Sequence, residues 1–311
     1  MATQRPEIDM TGLRGRMLLH APMHQHVSWK AGGAADVLYV PADLDDWAMF
    51  LRRLPRHEPV HCVGLGSNLL VRDGGVRGVV IVLHGALREL HEEAASVGQG
   101  MMYAEAGVAL PRLARFSASC GLVGGEFMVG IPGTVGGALA MNAGCYGGET
   151  WNVVARVLTM RRDGSRQVRE REEFSVGYRE VRGMEQDEWF AAGWFVLARG
   201  NGQAARELMA DLLRRRVASQ PLGQPNAGSV FRNPPGDHAA RLIEQCGLKG
   251  WQIGAAQVSR KHANFIVNTG GASASDIERL IEHVGQVVEE RTGVRLLCEV
   301  RIIGERLEEA A

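Results

Sequence analysis

Apolar runs alternate with amphipathic stretches along the chain. ADVLYV (35–40) and GVVIVL (78–83) read as strands, and LDDWAMFLRRL reads as a helix capped by Asp43 and closed by Pro55. VHCVGLGSNLLV (60–71) reads as strand, glycine turn, strand. MYAEAG leads into a helix over LPRLARFSASC, with Pro111 near its start and Gly121 at its end. Asp163-Gly164 signals a hairpin within NVVARVLTMRRDGSRQVRE, and the strand WFVLAR follows. From Gly202 the texture changes. A helix over QAARELMADLLRRRV gives way to the polar connector ASQPLGQPNAG, then to helix (HAARLIEQC), strand (NFIVN), long helix and strand (RLLCEVRII). The long helix repeats Ile277, Leu280, Ile281, Val284 and Val288 at helical spacing, with Ser275 and Glu278 as its expected capping box. The fold class is α+β throughout, with a domain boundary expected at 205/206.

Length and composition narrow the picture. A chain of 311 residues suggests two or three domains, and 45% hydrophobic with 23% charged residues fits a globular protein with a sizeable core. Thirty-five basic residues balance 35 acidic ones, so charge gives no reason to expect nucleic acid or an anionic membrane, and a bound phosphate must be held locally. The N-terminus lacks the apolar core of a signal peptide, and no uncharged run approaches the ~20 residues of a membrane span, which points to the cytoplasm. Five scattered cysteines without CxxC give no support to disulfides or a structural zinc site, and no metal site is expected among the ten histidines. Oligomeric state is not implied.

Glycine changes the picture most. Its 40 residues are nearly twice the ordinary share of ~7%, and ten of them fall between Gly121 and Gly148. Glycine in an ordered segment costs conformational entropy, so such a cluster marks backbone that turns sharply or approaches something closely. The common phosphate cradles are absent: GLGSNL (64–69) has Leu69 where a Rossmann loop needs its third glycine, and no GK dipeptide exists for a Walker loop. GLGSNLL still sets two glycines, a serine and an asparagine after a buried strand, where N–H groups can converge on an anion; a tight hairpin gives the same letters. GIPGTVGGALAMNAG (130–144) adds a proline-fixed turn, small residues and Asn142, expected to be exposed, all suited to a large flat ligand resting on main chain. Close helix packing through Gly and Ala is the other reading. Two loops of different design make a dinucleotide site the more economical account.

These segments, with WKAGGAADVLYVP, GYR (177–179), NAGSVFRNP (226–234), LIEQCGLKG, VSRKHANFIVN and EVRIIG (299–304), resemble the UDP-N-acetylenolpyruvoylglucosamine reductase family, in the family's order and over most of the chain. The resemblance implies an FAD-binding module of the vanillyl-alcohol-oxidase type in residues 1–205, made of two α+β subdomains divided near 85, and a substrate domain in 206–311. FAD, bound non-covalently, would rest on Gly64, Gly66, Ser67 and Asn68, and on Gly130, Ile131, Pro132, Gly133, Thr134, Gly136, Gly137, Asn142 and Ala143, with backbone amides holding its pyrophosphate. NADPH would reduce it; UDP-N-acetylglucosamine enolpyruvate would then enter and be reduced to UDP-N-acetylmuramate, a peptidoglycan precursor. By resemblance, catalysis falls on Arg179, Ser229 and Glu299.

The chemistry suits those residue types. Hydride addition to the enolpyruvyl double bond drives electrons toward the carboxylate, which calls for positive charge beside it and a proton for the other carbon. Arg179 is a planar, permanently charged fork, and Ser229 follows the small Gly228. Period-two alternation in LLCEVRII sets Glu299 in a strand apolar on both sides; burial there would raise its pKa, whereas an exposed Glu299 and Arg301 pair is the alternative. For the nucleotide sugar the resemblance points to Tyr178, Arg216, Asn233, Lys261 and Asn264, with Arg232 and His262 nearby. Val181 departs from the hydroxyl residue common two positions after the arginine. The short stretch from Arg199 to Arg216, and Ser219 in place of a lysine, mark the branch that lacks the tyrosine-bearing loop. A flavin oxidase of the same fold acting on a sugar or lactone, and a non-enzymatic nucleotide-sugar binder, are the rival readings.

Overall fold

The computed structural model describes residues 8–307. Helix α1 (Leu44–Arg53) begins where Asp43 accepts the Asp46 N–H at 2.9 Å, and it ends at Leu54, just before Pro55. It turns Trp47, Phe50 and Leu51 inward, and Phe50 stacks on Tyr39 at 3.7 Å between centroids. Helix α2 (Leu110–Ser119) carries Pro111 in its first turn and is followed by Gly121 at φ 69°. Short α3 (Val135–Met141) lies inside the glycine cluster and closes on Asn142 at φ 41°. The later helices are α4 (Gly202–Ser219), α5 (Ala239–Gln245) and α6 (Ala274–Thr292).

The chain forms two compact units. The first takes the described residues through Leu18, Val37–Gly64 and Gly78–Leu213; the second takes Leu19–Asp36, Leu65–Arg77 and the described residues from Arg214 onward. The division differs from a boundary at 205/206, which falls inside α4, and it gives two early segments to the second unit. Trp29 supplies the physical reason: it is fully buried in the core built on α5 and α6, its Nε1–H donates to the Ile266 carbonyl at 2.8 Å, and its own carbonyl accepts from Asn268 Nδ2 at 2.9 Å.

In the first unit an antiparallel sheet runs in the order Arg166–Glu170, Val154–Arg161, Glu188–Arg199, Gln99–Glu105, Leu90–Glu93, with Leu122–Val123 also paired to Glu188–Arg199. One core gathers α2, α3, Trp151 and Phe195; another gathers α1 with Ile81 and Leu87. Val60–Val63 pairs parallel with Val76–Val82 in a four-stranded sheet. The strand after the GLGSN turn, Leu69–Val71, instead pairs parallel with Arg301–Ile303 in the second unit, so the turn is no hairpin.

The second unit packs α6 against the antiparallel strands Gln252–Ile253, Ala256–Val258 and Ile266–Asn268. The capping box of α6 is Ser273 with Asp276, two residues earlier than expected: Ser273 Oγ accepts the Asp276 N–H at 3.0 Å and Asp276 Oδ2 accepts the Ser273 N–H at 3.1 Å. Asp73 accepts the N–H groups of Ala274 and Ser275, which completes the first turn and releases Glu278 for the buried side of the helix. The expected strand over RLLCEVRII shrinks to Arg301–Ile303 preceded by a single bridge at Cys298, because Leu297 turns out to solvent and the alternation breaks. No helix of the described residues is long and apolar enough to cross a membrane.

Candidate active site

The first unit holds the second glycine loop. Pro132 and Gly137 are exposed, Gly133, Gly136 and Ala143 are half-buried, and Ile131 and Thr134 are buried. Much of this loop is packed on itself: a Cβ at Gly130 would lie 2.6 Å from the Tyr146 ring, and one at Gly148 would lie 2.5 Å from Phe127. Several of the amides expected to face a pyrophosphate are committed internally, Gly133 to the Ile131 carbonyl, Val135 to Val108 and Gly136 to Ala106. Gly64 faces the same loop, where a Cβ would come within 2.3 Å of Thr134 Oγ1. That hydroxyl is buried with no hydrogen-bond partner. A buried orphan hydroxyl beside a bare backbone and an exposed glycine-proline rim is what a ligand-accepting loop needs, and it fits FAD.

Asn142 is not exposed. It is 1% accessible, and its carboxamide is bonded to Glu149, Gly177 and the Trp151 N–H. The adjoining hairpin, Ser175–Gly177 with Glu180–Arg182, turns through Tyr178 and Arg179, which has φ 56°. Arg179 donates Nη1 to the Asn142 carbonyl at 3.2 Å and Nη2 to the Gly144 carbonyl at 2.9 Å, and its guanidinium lies 5.3 Å from the exposed Tyr178 ring centre. Val181, opposite Val176, packs against the unit's core rather than offering a hydroxyl.

The second unit holds the rest of the GLGSN turn. Gly66 has φ 61°, and a Cβ there would strike the His26 carbonyl at 2.2 Å; Ser67 and Asn68 are half-buried. Asn68 Nδ2 donates to the Glu299 carbonyl at 3.1 Å, and the Asn68 carbonyl accepts the Arg301 N–H at 3.1 Å. Glu299 is half-buried, and its N–H donates to the Val230 carbonyl at 2.8 Å, immediately after Ser229. Two motifs seventy residues apart are thus laid side by side. Asn264 fixes the same stretch: it is buried, its Oδ1 accepts the Phe231 N–H at 2.9 Å, and its Nδ2 donates to the Phe231 carbonyl at 2.8 Å. These two bonds to main chain brace the Ser229 segment. Asn233 Oδ1 likewise accepts the Ala239 N–H at 3.1 Å at the start of α5.

Arg216 and Lys261 lie elsewhere in this unit. Arg216 Nε donates to Gln220 Oε1 at 2.8 Å, and Lys261 Nζ donates to the Val217 carbonyl. Lys261 lines a groove of about 490 Å³ with Gln220, Gln224, Gln257, Ser259 and Arg260. Gln257 and Arg260 escaped the sequence reading because nothing in their spacing signals a groove that folding builds from two separated segments. Burial pushes the neighbouring His262 imidazole below its ordinary pKa, so it is neutral at pH 7.

Residues 35–168 match the family model described as FAD binding domain, and residues 220–303 match UDP-N-acetylenolpyruvoylglucosamine reductase, C-terminal domain. The latter match spans NAGS and EVR and favours the reductase over a flavin oxidase of the same fold. UDP-N-acetylenolpyruvoylglucosamine reductase of Thiobacillus denitrificans is 60% identical, covering 96% of this chain and 97% of the relative; that of Nitrosospira multiformis is 53% identical, covering 96% and 91%. The solved UDP-N-acetylenolpyruvylglucosamine reductase of Thermus caldophilus superposes with a TM-score of 0.77 at 31% identity, covering 93% of this chain and 98% of that one. With such identity over nearly the full length on both sides, the chain belongs to the UDP-N-acetylenolpyruvoylglucosamine reductase family.

Proposed function

We infer that this chain is an NADPH-dependent flavoenzyme that reduces the enolpyruvyl ether of UDP-N-acetylglucosamine enolpyruvate to UDP-N-acetylmuramate, a step of peptidoglycan precursor synthesis. The observation that carries the reading is the 2.8 Å hydrogen bond from the Glu299 N–H to the Val230 carbonyl, which sets the Ser229 and Glu299 segments side by side. When bound, FAD would supply the redox chemistry that links NADPH to the double bond. Gly64, Thr134 and the 130–137 loop would hold it, with the orphaned Thr134 hydroxyl free to supply a hydrogen bond.

The chain's own residues manage charge and proton. Arg179, whose guanidinium is oriented by the carbonyls of Asn142 and Gly144, pairs with the substrate carboxylate, on which negative charge accumulates as the double bond is reduced. Ser229 protonates the remaining carbon, and Glu299 stands beside that carboxylate. Lys261 and the groove around it suit the anionic nucleotide portion. A soluble nucleotide-sugar substrate supports a cytoplasmic setting.

The test is stopped-flow absorbance on the purified holoenzyme without oxygen. NADPH should bleach the flavin band, and UDP-N-acetylglucosamine enolpyruvate should restore it. Ser229→Ala should bleach at the wild-type rate and recover about 100-fold more slowly or worse, as loss of a positioned proton donor predicts. Wild-type recovery would remove Ser229 from its role; failure of the substrate to restore colour in the unmodified enzyme would remove the reading itself.

A further inference from the structure

Asn142 joins the glycine cluster to the turn that carries Arg179. It closes α3 in the left-handed region, which asparagine tolerates better than most residues, and it is 1% exposed. Its side chain is committed inside the protein. Nδ2 donates to the Gly177 carbonyl at 3.0 Å and to Glu149 Oε2 at 2.9 Å, while Oδ1 accepts the Trp151 N–H at 3.1 Å. Its main-chain carbonyl accepts Arg179 Nη1 at 3.2 Å. One residue therefore grips the hairpin at Gly177 through its side chain and the guanidinium through its backbone. The grip has work to do, because Arg179 has φ 56°, a left-handed conformation that a long side chain keeps only where the surroundings enforce it.

We propose that Asn142 is a positioning residue for Arg179: it holds the planar fork in the orientation that receives the substrate carboxylate. A contact to the cofactor, its expected role, is not available to a carboxamide whose donors and acceptor are already engaged. The proposal rests on the reading that Arg179 binds that carboxylate. A residue that only stabilised the fold would slow both halves of the catalytic cycle together, whereas one that acts through Arg179 affects the substrate half alone.

Asn142→Gly tests this, since glycine keeps the left-handed backbone without strain and removes the side chain with its carboxamide. In the holoenzyme, flavin reduction by NADPH should stay within about twofold of wild type, while reoxidation by substrate should slow by about tenfold or more with a raised substrate KM, the scale of loss that a small misplacement produces. In an Arg179→Lys background the same substitution should add less than about twofold, because two residues acting as one unit are not additive. A full additive loss in that background would overturn the proposal and leave Arg179 in its role. An Arg179→Lys enzyme that reoxidises at the wild-type rate would overturn the reading of Arg179 and the proposal with it. Should the glycine variant fail to retain FAD, Asn142→Asp keeps the left-handed tendency but removes both N–H donors; reoxidation at the wild-type rate per bound flavin in that variant would equally overturn it.

Discussion

At the scale of single residues, Thr134 separates folding from binding. Its hydroxyl is buried without a partner, a state that costs about 1–3 kcal/mol. Thr134→Val removes the orphan and leaves the methyl framework. The apoprotein should melt no lower than wild type, while the Kd for FAD, read by flavin fluorescence, should rise about three- to tenfold, the worth of one hydrogen bond. Unchanged affinity would mean that the hydroxyl does not face the cofactor. Asn264 and Asn142 teach a related point. Both were legible as polar residues in family motifs, yet folding turns their amides onto main chain, because a buried carboxamide must find its partners wherever the backbone supplies them.

At the scale of elements, α6 shows how a helix start is chosen. Two overlapping cap patterns are written in ASASDIE, and Ser273 wins because Asp73 is present to accept the next two N–H groups. Glu278 then pairs with Arg72 through hydrogen bonds of 2.9 and 3.0 Å, and with Arg306 at 2.8 Å. Those bonds, Arg72 first, hold its carboxyl below the ordinary carboxylate range despite opposing burial. A carboxylate held low in the folded state contributes stability that is fully present above its unfolded pKa of about 4.3 and is lost as pH falls through the folded value. Glu278→Gln should therefore cost about 1–3 kcal/mol at pH 7 and flatten the decline of Tm in acid. Melting curves from pH 7 to pH 3 that run parallel for the two proteins would refute this.

At the scale of the whole molecule, each compact unit is assembled from three separate stretches of chain, and the residues assigned to FAD come from more than one of them. A ligand that binds only the folded form stabilises it by about 2.7 kcal/mol at a hundredfold excess over Kd. Stripping FAD should accordingly lower Tm by roughly 5–10 °C for units of this size, and readdition should restore it. A Tm indifferent to FAD, measured by differential scanning calorimetry, would count against the glycine loops as its site.

Local rules were enough for the parts of this protein that local forces decide. Asp43, Pro111 and Gly121 bound their helices as written, and Asp163-Gly164 makes the hairpin it signals, since caps and turns are settled by a few neighbouring atoms. The two glycine loops stood out by their composition, and the NAGS and EVR segments by their resemblance to the reductase family. Tertiary structure decided the partners: that the strand after GLGSN pairs with Arg301–Ile303, that Trp29 is buried in the core of α5 and α6, and that Glu299 is tied to Asn68 and Val230. Such pairings join residues far apart in the chain, and burial and main-chain hydrogen bonding choose among them only once the whole core is assembled.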